Sequence, residues 1–360
     1  MSALKREIVE TIAHDGPMTL ERFMSLCLTH PRYGYYMTRD PFGAGGDFVT
    51  APEISQMFGE LLGVWVTEAW RAAGAPTEAR LIELGPGRGT LMSDVLRVTP
   101  IAPNFFSAVS VHLVETSPVL RETQRQTLAR AAKPAQWHLD FAETPPGPAF
   151  ILANEFFDAL PVRHFVKTAS GWREQLIGLD AQGELAFGLS DQIEPTLNVP
   201  AREGSIIEVS AVSQKLIGDI ATRLVAQGGA LLLIDYGYEQ TSLGESLQAV
   251  SRHAYVDPLA TPGEADLTAH VDFAALARAA RARGAKVMGP VTQAQFLLQL
   301  GIERRAETLS KKATPEQAQS IIDAFERLTG VDHARHQMGQ LFKVMAVTNP
   351  DMPDLPGFFV

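Results

Sequence analysis

Through residues 1–75 the apolar positions return every three to four residues. Leu4–Ile12, Thr19–Leu28 and Ile54–Ala73 carry this spacing, which predicts three helices with one buried face each. Between the second and third lie Pro31-Arg32-Tyr33-Gly34-Tyr35-Tyr36 and then Asp40–Thr50, rich in glycine. Glycine and proline break a helix, so this stretch predicts a loop. From 80 to 160 the pattern alternates. Leu81–Leu84, Val109–Val114, Gln136–Leu139 and Ala149–Ala153 read as buried strands, with helices at Thr90–Arg97 and Val119–Ala132 between them. Such alternation predicts a parallel α/β sheet with helices on both faces.

At 162–190 the period changes to that of an antiparallel meander. Val162–Lys167, Trp172–Leu179 and Glu184–Gly188 are joined by Ala-Ser-Gly and Ala-Gln-Gly turns. The α/β pattern then resumes with helix Val212–Ala226, strand Ala230–Ile234, helix Phe273–Arg283 and strand Lys286–Met288. Two or three helices follow over 292–328, and a last strand over Leu341–Val347. The expected organisation is a helical N-terminal cap with a Gly-rich lid loop (1–75), a core built from 76–160, 205–290 and 339–349, a β-meander insertion (161–204), a helical insertion (291–338) and a tail (350–360).

Composition narrows the function classes. The chain is 46% hydrophobic, enough for a sizeable core, yet no apolar run approaches the roughly 18 residues of a membrane helix. No stable membrane insertion is expected. The net charge of −10 and the lack of a basic stripe argue against a nucleic-acid partner. The single cysteine, Cys27, excludes an internal disulfide framework and sits in an apolar pattern, so it reads as core. Met1–His14 carries Glu7 and Glu10 and no apolar targeting segment, so a cytoplasmic location is expected.

The sharpest chemical signal is Glu83-Leu84-Gly85-Pro86-Gly87-Arg88-Gly89-Thr90 at the end of the first strand. Glycines between a strand and a helix let backbone N–H groups approach a ligand. A dinucleotide fingerprint would place a third glycine where Thr90 stands, and no Gly-Lys-Ser/Thr of a P-loop follows. Glu115 ends the next strand, where a carboxylate can accept from ribose hydroxyls. Asp140 follows the third, and Asn154-Glu155-Phe156-Phe157-Asp158 the fourth. A polar pair directly after a buried strand is expected at the mouth of the crevice. Helix capping by Asn154 or Asp158 is the alternative, but capping does not by itself call for Glu155 and two phenylalanines.

The Glu-x-Gly-x-Gly form resembles motif I of the class I S-adenosylmethionine-dependent methyltransferases, whose matching acid after the third strand contacts the adenine amino group. Taken together, Ile82–Arg97, Asn154–Phe165, Gly46–Trp65 and Asp235-Tyr236-Gly237-Tyr238 resemble the MidA-like family of these enzymes. The likeness runs over nearly the whole chain. It includes His30–Tyr36 and Thr268–Phe273. Its mitochondrial members are respiratory complex I assembly factors that methylate arginine.

The resemblance implies a class I (Rossmann-like) sheet of seven strands with a helical cap, S-adenosylmethionine as cofactor, and symmetric ω-methylation of an arginine on a complex I subunit. The chain would work in the cytoplasm of a bacterium or in a mitochondrial matrix. Glu83, Gly85, Pro86, Gly87, Gly89, Glu115, Asp140, Asn154 and Thr50 are then the expected cofactor contacts. Glu155 is the first candidate to orient the acceptor guanidinium, with Asp158 second and Asn154 beside them. Glu53 is expected in a lid, with Asp47, Thr50 and Gln56 near the cofactor or its entrance. Phe156 and Phe157 are expected to exclude water or to pack in the core. An assembly chaperone retaining a cofactor site and an NAD-dependent oxidoreductase are the rival readings. No metal site is expected, because His333-x-x-His336 lacks a third ligand. His253 and His270 have no role assigned by spacing, and Tyr33, Tyr35 and Tyr36 could stack on a substrate but read first as packing of the cap.

Overall fold

The computed structural model of the protein describes residues 2–39 and 50–359, the side chain of His333 excepted. Its centre is one sheet, with β1 Ala79–Leu84, β2 Val109–Val114, β3 Ala135–His138, β4 Ala149–Asn154, β5 Gly229–Tyr238, β6 Lys286–Thr292 and β7 Phe342–Thr348. The order is β6-β7-β5-β4-β1-β2-β3. Only β7 runs against its neighbours. A two-residue strand, Val271–Asp272, adds to the end of β5. This is the α/β sheet that the alternation and the resemblance predict.

The inner strands are apolar on both faces, as covered parallel strands must be. Leu232 and Ile234 of β5 face one core with Leu81, Trp65 and Phe58, whereas Leu231 and Leu233 face the other with Ile82, Ile217 and Phe273. Helices Gln56–Ala72 and Thr90–Val98 cover the first face. Ala211–Gln227 and Phe273–Arg281 cover the second.

A third core lies beside the sheet. Leu4, Phe23 and Cys27 of the two N-terminal helices, Ala3–Asp15 and Leu20–Thr29, pack with Val162 and Ile177 near and in the meander. The short strand Met18–Thr19 pairs with meander strand Gly171–Leu179, so cap and meander form one lobe. The stretch expected as a cap is thus shared between two cores, because Gln56–Ala72 belongs to the sheet. Residues 248–268 also join the lobe. They form a small sheet of Gln248–Ser251, Ala254–Val256 and Asp266–Thr268 that the apolar pattern does not reveal.

Other departures are local. The helix expected over Val119–Ala132 runs Pro118–Thr127. β6 continues to Thr292 past Gly289-Pro290, where its register shifts as at a bulge. The helical insertion is three helices, Gln293–Gln299, Ile302–Ser310 and Pro315–Thr329. Cys27 is buried, and that burial pushes its thiol up to about 12, which suits a core residue.

Candidate active site

The strand order reverses between β1 and β4, and in open α/β sheets the crevice at such a reversal, outside the carboxyl ends, is where ligands bind. A cavity of about 610 Å³ opens there, within the usual range for a small-molecule site. Gly85, Gly87, Glu115, Asp140 and Glu155 all line it, so four successive strand ends converge on one space.

The loop after β1 is shaped by glycine. Gly85, Gly87 and Gly89 have φ of +61°, +53° and +83°, the left-handed region that side chains disfavour. A Cβ at Gly85 would also stand 2.6 Å from Cδ2 of Phe156. That glycine therefore admits the neighbouring loop as well as any ligand. Glu115, at the end of β2, is buried. Its Oε1 accepts from the Ser117 N–H at 2.8 Å and its Oε2 from Gln124 Nε2 at 3.2 Å. Burial raises its carboxyl to about 7 despite these bonds. Asp140 is exposed on the rim, where its Oδ1 caps the short turn Phe141–Glu143 through the Ala142 N–H.

After β4 the backbone turns at Glu155 with φ +49°, a conformation that costs a side-chain-bearing residue about 1–2 kcal/mol. Its Oε1 accepts from the Ala51 N–H at 2.9 Å and from Asn154 Nδ2 at 3.2 Å. Burial raises this carboxyl too, to about 7. Asp158 is buried but does not line the cavity. It hydrogen-bonds Tyr236, and burial raises it to about 6. Phe156 lines the cavity, whereas Phe157 packs in the core.

A small second cavity lies behind the glycine loop, lined among others by Thr50, Glu53, Glu83, Pro86, Asn154 and Glu155. Glu83 is buried, burial raises its carboxyl to about 8, and its Oε2 has no hydrogen-bond partner. Asn154 Oδ1 is likewise buried and unpartnered. Glu53, on the short helix Ala51–Ile54, accepts from Thr90 Oγ1 at 2.5 Å and lies 4.0 Å from Arg88. The 51–54 turn is thus fastened to the sheet on two sides, by Glu53 to the glycine loop and by Glu155 to β4.

One residue of the site, Gln124, carries no signal in the sequence, whereas Tyr36 and Asp235 stand in the motifs noted above without a role of their own at the site. Gln124 is fully buried and joins three elements. It donates to Gly87 O at 2.8 Å and to Glu115, and accepts from Trp137 Nε1 at 2.8 Å. Tyr36 lines the large cavity from the cap and donates to the Asp266 carboxylate at 2.9 Å, while its neighbour Tyr35 is core. Asp235, on β5, caps the loop that holds Glu155.

Gln56 lies apart, accepting from Arg97 at an exposed site, and Asp47 falls outside the described residues. His253 sits in an exposed turn. His270 lies against the rings of Tyr236 and Tyr238, and burial lowers its pKa. Among the described residues no group of three His, Cys, Asp or Glu side chains has the placement of a metal site, and no helix is long and apolar enough to cross a membrane.

A sequence model described as a putative S-adenosyl-L-methionine-dependent methyltransferase matches residues 61–291. The chain belongs to this family, the MidA-like methyltransferases. Its cofactor is S-adenosylmethionine, and the dinucleotide reading is set aside. Relatives named protein arginine methyltransferase NDUFAF7, mitochondrial, are similar over most of their length. The Homo sapiens protein is 36% identical over 96% of this chain and 83% of its own. The Danio rerio protein is 36% identical over 96% and 87%. The Drosophila melanogaster homolog is 38% identical over 96% and 84%. A Burkholderia thailandensis methyltransferase-like protein crystallised with S-adenosyl-homocysteine superposes with a TM-score of 0.84 at 28% identity. The match covers 99% of this chain and 94% of that one.

Proposed function

We propose that this methyltransferase modifies an arginine of a protein acceptor and that Glu155 receives the guanidinium. The observation that carries the reading is the place of Glu155. Its half-buried side chain borders both the large cavity and the small one behind the glycine loop. The names of the relatives support arginine as the acceptor residue.

The residues present fit the cofactor. The buried, unpartnered Glu83 Oε2 and Asn154 Oδ1 are acceptors suited to an ammonium group beside the glycine loop. Gly85 and Gly87 leave the backbone accessible, Glu115 carries the acid expected for ribose hydroxyls, and Asp140 stands on the rim where the adenine end would lie. Thr50 and Glu53 cover the opposite side. When bound, S-adenosylmethionine supplies an electrophilic methyl group.

The remaining work is positioning. An arginine guanidinium is protonated near neutral pH, so the acceptor nitrogen must be oriented and must lose a proton. Glu155 does both. Its Oε1 is fixed by Ala51 and Asn154, which leaves Oε2 to pair with the guanidinium. A carboxyl raised to about 7 can hold the proton that the nitrogen gives up. The net charge of −10 favours a basic acceptor segment over a polyanion. The resemblance directs the finer reading to a complex I subunit and symmetric dimethylation, in a bacterial cytoplasm or a mitochondrial matrix.

The test is incubation with labelled S-adenosylmethionine and a lysate of cells lacking the protein, followed by hydrolysis. Label is expected in protein, as symmetric dimethylarginine. Label in RNA or small molecules and never in protein would overturn the acceptor assignment. Cofactor binding with no labelled product at all would favour the chaperone reading.

A further inference from the structure

The parallel ladder between β4 and β5 ends at Glu155, whose N–H donates to Ile234 O at 2.9 Å. The next residue of β5, Asp235, is fully buried and turns its carboxylate into the departing loop. One oxygen, Oδ2, accepts the N–H groups of Phe156 at 3.2 Å, Phe157 at 2.9 Å and Asp158 at 3.2 Å. The other accepts the Tyr236 N–H at 3.0 Å. Successive N–H groups converging on one anion form the concavity by which loops bind free anions. Here the acceptor is an acidic side chain of the protein.

Stability alone does not ask for this residue. Asp235 follows Leu231–Ile234, all of which are buried apolar side chains. An acid at this depth loses its hydration, and that burial, together with the nearby Asp158 and Glu155 carboxyls, pushes its pKa well above the usual carboxylate range. What it gains is a defined curl of the three residues after Glu155. That curl starts from the left-handed backbone of Glu155 itself, where φ is +49°.

The geometry points to Asp235 as a positioning residue for methyl transfer: its carboxylate holds the loop curl that presents Glu155 to the acceptor. The inference rests on the reading of Glu155 given above. Asp235 does not line the large cavity, so it acts through the loop and contacts neither reactant.

A double-mutant cycle tests it, read as the initial rate of labelled methyl entering protein arginine in a lysate of cells lacking the protein. Asp235→Asn should keep S-adenosyl-homocysteine affinity by calorimetry within about 3-fold and slow methylation roughly 10- to 100-fold. Adding Glu155→Gln to Asp235→Asn should slow it by less than about 3-fold more, because coupled residues are not additive. Multiplying penalties would overturn the inference, since Asp235 would then act independently of Glu155. Glu155→Gln alone methylating at the wild-type rate would instead remove the role of Glu155. Amide hydrogen exchange on the wild-type protein decides the matter if Asp235→Asn does not fold. Slow exchange at Phe156, Phe157 and Asp158 supports the curl, and exchange as fast as at exposed loop amides overturns it.

Discussion

The loop after β1 and the loop after β4 both leave a buried parallel strand and turn toward the same cavity with positive φ. They reach that geometry by different means. Gly85, Gly87 and Gly89 adopt it without steric cost, and what they offer a ligand is bare backbone. Glu155 adopts it against its preference, and what it offers is a carboxylate. The first loop takes its turn from its own glycines, with Gln124 added as a donor to Gly87 O. The second needs the Asp235 carboxylate, donated by the adjacent strand far along the chain. A backbone binding surface can be written in a few consecutive residues. A functional side chain on strained backbone has to be held by a distant partner.

The largest expected effect breaks the first loop. Gly85→Val puts a branched side chain at φ +61° and against the Phe156 ring. A left-handed non-glycine residue costs about 1–2 kcal/mol, and overpacking adds about 1–3 kcal/mol. Denaturant unfolding should show that loss. Calorimetry on the folded protein should show S-adenosyl-homocysteine affinity reduced roughly 100-fold or more, about 2.7 kcal/mol. Wild-type affinity would mean that the backbone at Gly85 does not approach the ligand.

Next comes the second loop. Glu155→Gln keeps size and the Ala51 bond but removes the charge meant for the guanidinium. Losing a charge-assisted hydrogen bond costs about 1.5–3 kcal/mol, or roughly 10- to 150-fold in methylation rate. Cofactor affinity should hardly change. A wild-type rate with normal binding would leave Glu155 as a structural link between β4 and the 51–54 turn.

The same contrast governs what the sequence discloses. The inner strands are legible because continuous apolar runs such as Leu231–Ile234 have few other uses, and the glycine turn because its signal is contiguous. β6 is only half visible, since Gly289-Pro290 interrupts it at a bulge. The strands within 248–268 are hidden. Ala254–Val256 is exposed throughout, and Ala249 and Leu267 find their core only against the N-terminal helices. At the site, Gln124 is an ordinary polar residue until the fold supplies its partners, and the motifs holding Tyr36 and Asp235 are visible although the partners of those two side chains are not. The place of Gln56–Ala72 on the sheet was equally closed to view, because periodicity shows that a helix has a buried face but not what covers it.

A smaller effect separates binding from turnover. Glu115→Gln should weaken S-adenosyl-homocysteine roughly 5- to 30-fold, about 1–2 kcal/mol for a polar contact, and slow methylation mainly below cofactor saturation. Gln124 and Ser117 already bond this carboxylate, so thermal unfolding must be followed alongside. If the rate at saturation fell as far as in Glu155→Gln, the division of labour between the two loops would be wrong.

The smallest effect is a pH dependence that sharpens the comparison. Burial raises Glu83, before the first loop, to about 8, and Glu155, in the second, to about 7. In the unfolded chain both titrate near 4.5, so between these limits the folded protein binds the extra protons. The stability they contribute is full below about pH 4.5 and is lost as pH rises through about 7 and 8. The cofactor-free protein should therefore melt at lower temperature at pH 8.5 than at pH 5. Glu83→Gln cannot ionise and should shrink that fall by a few °C, at about 2–4 °C per kcal/mol. S-adenosyl-homocysteine should shrink it as well if its ammonium donates to Glu83 Oε2, because the charged carboxylate then has a partner. Should Glu83→Gln keep the full wild-type slope while Glu155→Gln flattens it, the proton resides in the second loop, and Glu83 would meet the cofactor already ionised.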